Sequence, residues 1–122
     1  MALAKEMMGG GFSALAARAI NGQINATVSA AGTTQATGTA LNAGHNIVTT
    51  VAASSGVRLP ACEIGDEVFV YNGQVTNALT VYPDTGATIN QLAANIGMLL
   101  SPYTGVMFKR ATSTVWTAFL SA

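Results

Sequence analysis

The chain has 122 residues, five basic and five acidic, so its formal net charge is zero and only 8% of its residues are charged, against roughly a quarter in ordinary soluble domains. That excludes a nucleic-acid binder, which needs a concentrated Lys/Arg footprint, because only Lys5, Arg18, Arg58, Lys109 and Arg110 are basic. The single cysteine, Cys62, excludes an intrachain disulfide framework and a cysteine-built metal site, and it fits assembly in a reducing cytoplasm. No apolar run approaches the roughly 18 residues of a membrane span. Half of the residues, 50%, are apolar, and little on such a surface keeps copies of a free monomer apart. The composition predicts burial against partners.

Residues 1–22 read as a short N-terminal helical arm. Leu3 and Met7 are four apart, and Phe12, Leu15, Ala16 and Ala19 follow the i, i+3, i+4, i+7 pattern of an amphipathic helix. Gly9 to Gly11 would joint the arm, and Asn21-Gly22 would end it. The same glycines, flanked by Glu6 and Arg18, interrupt the unbroken apolar stretch that a secretory signal requires. A helix this short must dock on something to persist.

Residues 23–122 read as a β domain, rich in Val, Ile, Thr, Tyr and Phe with turn residues every eight to twelve positions. In chain order, strands are expected at Ile24–Ser29, Asn46–Val51 and Gly56–Leu59, the last stopped by Pro60. Thr33 to Leu41 reads as an extended Thr/Ala-rich segment. Glu67–Tyr71 is expected to turn back on the residues after it across Asn72-Gly73, the strongest short hairpin signal. Ala78–Tyr82 ends at the Pro83–Gly86 turn. Gly97–Leu100, Gly105–Arg110 and Thr114–Leu120 complete the set. No crossover helix separates the strands, so a parallel α/β sheet is not expected. The predicted fold is mainly β, an antiparallel β-sandwich or barrel-like domain with the helical arm.

Several strands are apolar on both faces. Val68 and Val70 can fill a core, but Phe69 and Tyr71 then point the other way, and Trp116 and Phe119 fall on opposite faces of the last strand. A sheet with one wet face alternates cleanly, so a second buried layer is implied. The residues expected to dock on a partner are Leu3, Met7, Met8, Phe12, Leu15, Phe69, Tyr71 and Trp116.

Candidate chemistry is thin. His45 is the only histidine, so any Ser-His-Asp or Cys-His arrangement would have to be built on it, yet it lies in the turn-like stretch Asn42–Asn46. Cys62 reads as a small buried hydrophobe. Glu63, Asp66 and Glu67 form the one acidic cluster, without the alternating oxygen ligands of a calcium loop. An intersubunit salt bridge to Lys109 or Arg110 suits them better. Gly9–Gly11 lacks the preceding strand and the following Gly-Lys-Ser/Thr of a phosphate loop. The aromatics Tyr71, Tyr82, Tyr103, Phe108, Trp116 and Phe119 could form a sugar platform, though packing is their commoner fate. No catalytic, cofactor-binding or metal-binding residues are assigned.

Beyond these patterns, Gly32–Thr37, Asn46–Val51 and Gly56–Pro60 form an ordered set. It continues with Gly65-Asp66 leading to Val68, Asn77–Pro83, Gly86–Asn90 and Ala111–Thr114 with Trp116. This set, covering roughly Gly32 to Leu120, resembles a small β module of virion structural proteins in tailed bacteriophages, including head decoration (cement) and fibre-type proteins. The resemblance implies a non-enzymatic protein made in the host cytoplasm and bound outside the capsid shell, as a homotrimer seated on the major capsid protein, with neither nucleic acid nor membrane as partner. A tail or head fibre module that recognises host-surface sugar is the alternative. The N-terminal arm is not part of that module, and would be a specific anchor.

Overall fold

The computed structural model describes residues 23–120, and among them there are ten strands and no helix. The strands are β1 (Ile24–Ser29), β2 (Thr39–Ala40), β3 (His45–Thr50), β4 (Gly56–Arg58), β5 (Glu67–Asn72), β6 (Leu79–Tyr82), β7 (Thr88–Ile89), β8 (Met98–Leu100), β9 (Gly105–Arg110) and β10 (Val115–Leu120). They form a six-stranded sheet in the order β1-β3-β5-β9-β10-β7 and a four-stranded sheet in the order β2-β4-β6-β8. The mainly β expectation holds. The expected helical arm over residues 1–22 lies outside the described residues, and no helix is found within them.

The antiparallel sandwich or barrel is corrected by the strand pairing. β1, β3 and β5 run parallel, as do β2, β4 and β6. A parallel pair cannot be closed by a tight turn and needs a long crossover. In this chain the crossover is a strand of the opposite sheet, so each coil adds one strand to both sheets and stacks on the coil before it. The stacking is solenoid-like, with a coil of about 20 residues, the short end of the repeat lengths in such proteins. Among the named strands, antiparallel pairing enters at the far end, where β9 pairs with β5 and β10 and β8 with β6.

The Asn72-Gly73 hairpin is absent for a related reason. Asn72 is fully buried, and its Nδ2 donates to the carbonyls of Asn77 (3.0 Å) and Leu100 (3.0 Å) while its Oδ1 accepts from the amide of Gln74 (3.0 Å). The side chain therefore satisfies backbone groups at a corner where the chain leaves one sheet for the other. Gly73 keeps this corner tight, since a Cβ there would lie 3.2 Å from the Val48 carbonyl oxygen. The extended reading of Thr33 to Leu41 is also corrected. Only Thr39–Ala40 is strand, because the Thr34 and Thr37 hydroxyls bond one another (2.8 Å) and close a turn.

Between the sheets, Val48, Val57, Val70, Val81, Leu59, Leu79, Leu100, Val106, Phe108, Ile89 and Trp116 are fully enclosed or nearly so. Their branched and aromatic side chains suit a pleated, close-packed interior. One charged residue joins this layer. Arg110 is 5% exposed, and its Nη1 donates to Asp84 Oδ1 at 2.6 Å while Nε and Nη2 donate to the carbonyls of Thr112 (3.0 Å) and Ser113 (2.5 Å). Trp116 Nε1 donates to the same Asp84 oxygen at 2.9 Å, and the guanidinium lies 5.1 Å from the indole centroid. The Pro83–Gly86 turn is thereby tied to the β9–β10 hairpin.

Removing one partner of a buried, hydrogen-bonded pair strands the other charge. Asp84→Ala is expected to lower unfolding stability by about 3 kcal/mol, measured as a reduced urea midpoint with an unchanged slope. Gly56→Ala is expected to cost about 1–3 kcal/mol in the same assay, because its Cβ would sit 2.7 Å from the Thr80 carbonyl oxygen and from the Tyr82 ring.

Candidate functional site

Alternation along the strands of the six-stranded sheet sends one set of side chains inward and the other onto an outer face. The register places Ile24 beside His45, His45 beside Phe69, Phe69 beside Met107 and Met107 beside Phe119. These five side chains form a row across β1, β3, β5, β9 and β10. Ile47 and Tyr71, also register partners, extend the apolar surface along the strands. Phe69 tilts against His45 with ring centroids 4.7 Å apart and lies over Gly105, where a Cβ would come within 2.7 Å of its ring. Ile24 and Phe119, at the two ends of the row, are 61% and 59% exposed; His45, Phe69 and Met107 between them are half-buried.

The face carries little charge. Lys109 and Glu67 are register partners and face each other at 3.8 Å, both half exposed; such a pair contributes at most about 1 kcal/mol. Of the acidic cluster, Glu67 thus meets Lys109 within its own chain. Asp66 turns inward on its own loop, where its Oδ2 accepts from the Glu63 amide at 3.0 Å. Lys109 and Arg110 point to opposite sides of β9, with Arg110 taken by Asp84.

Of the residues expected to dock on a partner, Phe69 and Tyr71 lie on this outer face. Trp116 does not: it is enclosed in the core because β10 presents its even positions inward at that point. Its burial also removes it from any sugar platform, whereas Tyr103 is exposed. Leu3, Met7, Met8, Phe12 and Leu15 lie outside the described residues. Sequence reasoning missed Ile24, Met107 and Phe119 as members of one row. Only the register joins them, and the register was not predictable while the strands were read as antiparallel.

The remaining candidates do not assemble a reactive site. Among the described residues, no group of three His, Cys, Asp or Glu side chains is arranged to hold a metal ion. His45 sits on the apolar row beside Phe69. A cavity of about 220 Å³ is lined by Asn42, Ala43, Gly44, Pro60, Cys62, Asp66, Glu67 and Val68. Burial, followed by the Asp66 carboxylate, pushes the Cys62 thiol up to about 11, which suppresses the thiolate that would act as nucleophile. No helix among the described residues is long and apolar enough to cross a membrane. The chain matches no protein-family model, and no curated protein matches it significantly.

The thiol makes a pH prediction. A raised folded-state value favours the neutral form, so its contribution to stability is complete below about pH 9 and is lost as the pH rises through about 11. At pH 8, iodoacetamide is expected to alkylate Cys62 far more slowly in the folded chain than in urea, as mass spectrometry would report.

Proposed function

We propose that this protein is a capsid decoration (cement) protein of a tailed bacteriophage, which assembles as a homotrimer on the major capsid protein lattice and stabilises the head. The observation that carries the reading is the apolar outer face of the six-stranded sheet, mounted on a tightly packed frame with almost no charge around it. Exposed apolar area of this kind marks an association surface. The ordered resemblance from Gly32 to Leu120 supports the same assignment.

The mechanism is association. Buried apolar area contributes about 25 cal/mol per Å², and after the costs of ordering and immobilisation a single contact of modest size is weak. Repetition over a symmetric lattice converts weak contacts into high avidity. A low-charge surface suits such a role because neighbouring copies do not repel one another.

Co-sedimentation with empty shells of the cognate phage tests the proposal. The chain is expected to sediment alone as a trimer and to saturate the shells at a fixed stoichiometry. Deleting Met1–Gly22 is expected to abolish shell binding while leaving the β-type circular dichroism. A monomer that stays in the supernatant at every concentration would refute the reading.

A further inference from the structure

An asparagine followed by glycine is prone to lose its side-chain amide, because a glycine nitrogen with no Cβ beside it reaches the asparagine side-chain carbonyl carbon unhindered. Asn72-Gly73 is such a pair, at the end of β5, and the association mechanism does not use it. The fold holds it where that reaction has no path. Asn72 is fully buried. Its Nδ2 donates to the carbonyls of Asn77 and Leu100, and its Oδ1 accepts from the Gln74 amide. Its backbone amide donates to the Thr104 carbonyl (3.0 Å), and its own carbonyl accepts from the Tyr103 amide (2.8 Å). The Gly73 nitrogen, which would be the attacking atom, donates its proton to the Val48 carbonyl at 2.9 Å.

We propose that Asn72-Gly73 is a fold-gated deamidation site: the closed corner protects the amide, and an opened corner converts Asn72 to an acid that the corner no longer accommodates. The Gly73 nitrogen attacks Asn72 Cγ and a C–N bond forms. The Cγ–Nδ2 bond breaks, and ammonia leaves with the proton of the Gly73 amide. Water then opens the cyclic imide at either carbonyl. The product is aspartate, or isoaspartate with one more methylene in the main chain. Water is the only co-reactant.

The gate is local. Gly73 is half-buried, and Val75, two residues on, is 59% exposed. Lifting residues 73–78 opens the corner while the sheets stay folded, and such openings cost less than global unfolding. Closing fails after conversion because of the donor count. A carboxylate only accepts, and Asn77 and Leu100 present carbonyl oxygens, which also only accept. Two donated bonds are lost and a charge is left in a buried site. Leu100 lies on β8 of the four-stranded sheet and Asn72 on β5 of the six-stranded one, so one of the lost bonds ties the two sheets together. The inference rests on this corner and holds whether or not the chain decorates a shell.

The test holds the full chain at pH 8 with and without urea, digests it with trypsin, and assigns converted residues by fragmentation mass spectrometry. The fragment spanning residues 59–109 contains no other Asn-Gly; the second such pair in the sequence, Asn21-Gly22, falls in a different fragment and serves as the reference in urea. In urea, Asn72 is expected to convert at the rate of Asn21. In buffer it is expected to convert at least about a hundredfold more slowly, because only open molecules react. A rate in buffer within about tenfold of the rate in urea would overturn the proposal, as would no conversion of Asn72 in urea. Asn72→Asp, made directly, tests the consequence. Its folding equilibrium constant is expected to fall at least about tenfold, seen in Trp116 fluorescence as a lower urea midpoint or no folded chain at all. A midpoint equal to that of the unsubstituted chain would show that the converted corner still closes, and would overturn the proposal too.

Discussion

Parallel strands cannot follow one another directly, and the fold rests on how this chain meets that constraint. Without helices to carry it back, the chain returns to the start of each strand by way of the opposing sheet. Two parallel sheets grow together as a result, and the space between them closes as they form. Val28 and Val48, then Val57 and Val81, stack as register partners on neighbouring coils. The core is therefore a set of short ladders more than a single central cluster.

Such stacking has to stop, because its last coil would present unpaired edges. The antiparallel β9–β10 hairpin does this for the larger sheet, and the short β7 finishes the far side. The hairpin is held by a buried cation that donates three hydrogen bonds, to one carboxylate and two carbonyls, with the Trp116 indole sharing the carboxylate. A buried pair of this kind is weak evidence of net stability against an apolar replacement. Its geometry does something more specific: Asp84 belongs to the turn after β6, so the pair sets the position of the closing hairpin relative to the last parallel coil.

Much of this was legible in the residues. Ile24–Ser29 and Gly105–Arg110 are strands with the bounds expected, although a register shift in the first leaves Ile24 exposed and Val28 buried where alternation put both on one face. Pairing direction was not legible. Alternation is the same in parallel and antiparallel strands, and the absence of helices was read as the absence of parallel pairing, an inference that fails when another strand supplies the crossover. Asn72-Gly73 misled because the pair was read by its hairpin habit, whereas Asn72 is spent on capping a buried corner. Trp116 misled in the opposite sense: a large amphipathic ring suggests an interface, but its N–H found Asp84 and the ring went inside. Two-residue strands such as Thr88–Ile89 carry too few positions for any period to show.

Coil-on-coil construction means that each layer touches chiefly the layers on either side of it. The height of the molecule is then decoupled from its cross-section. A duplication of one coil between β3 and β5 would lengthen the protein by one strand spacing while leaving the closing hairpin and the entry at Gln23 intact.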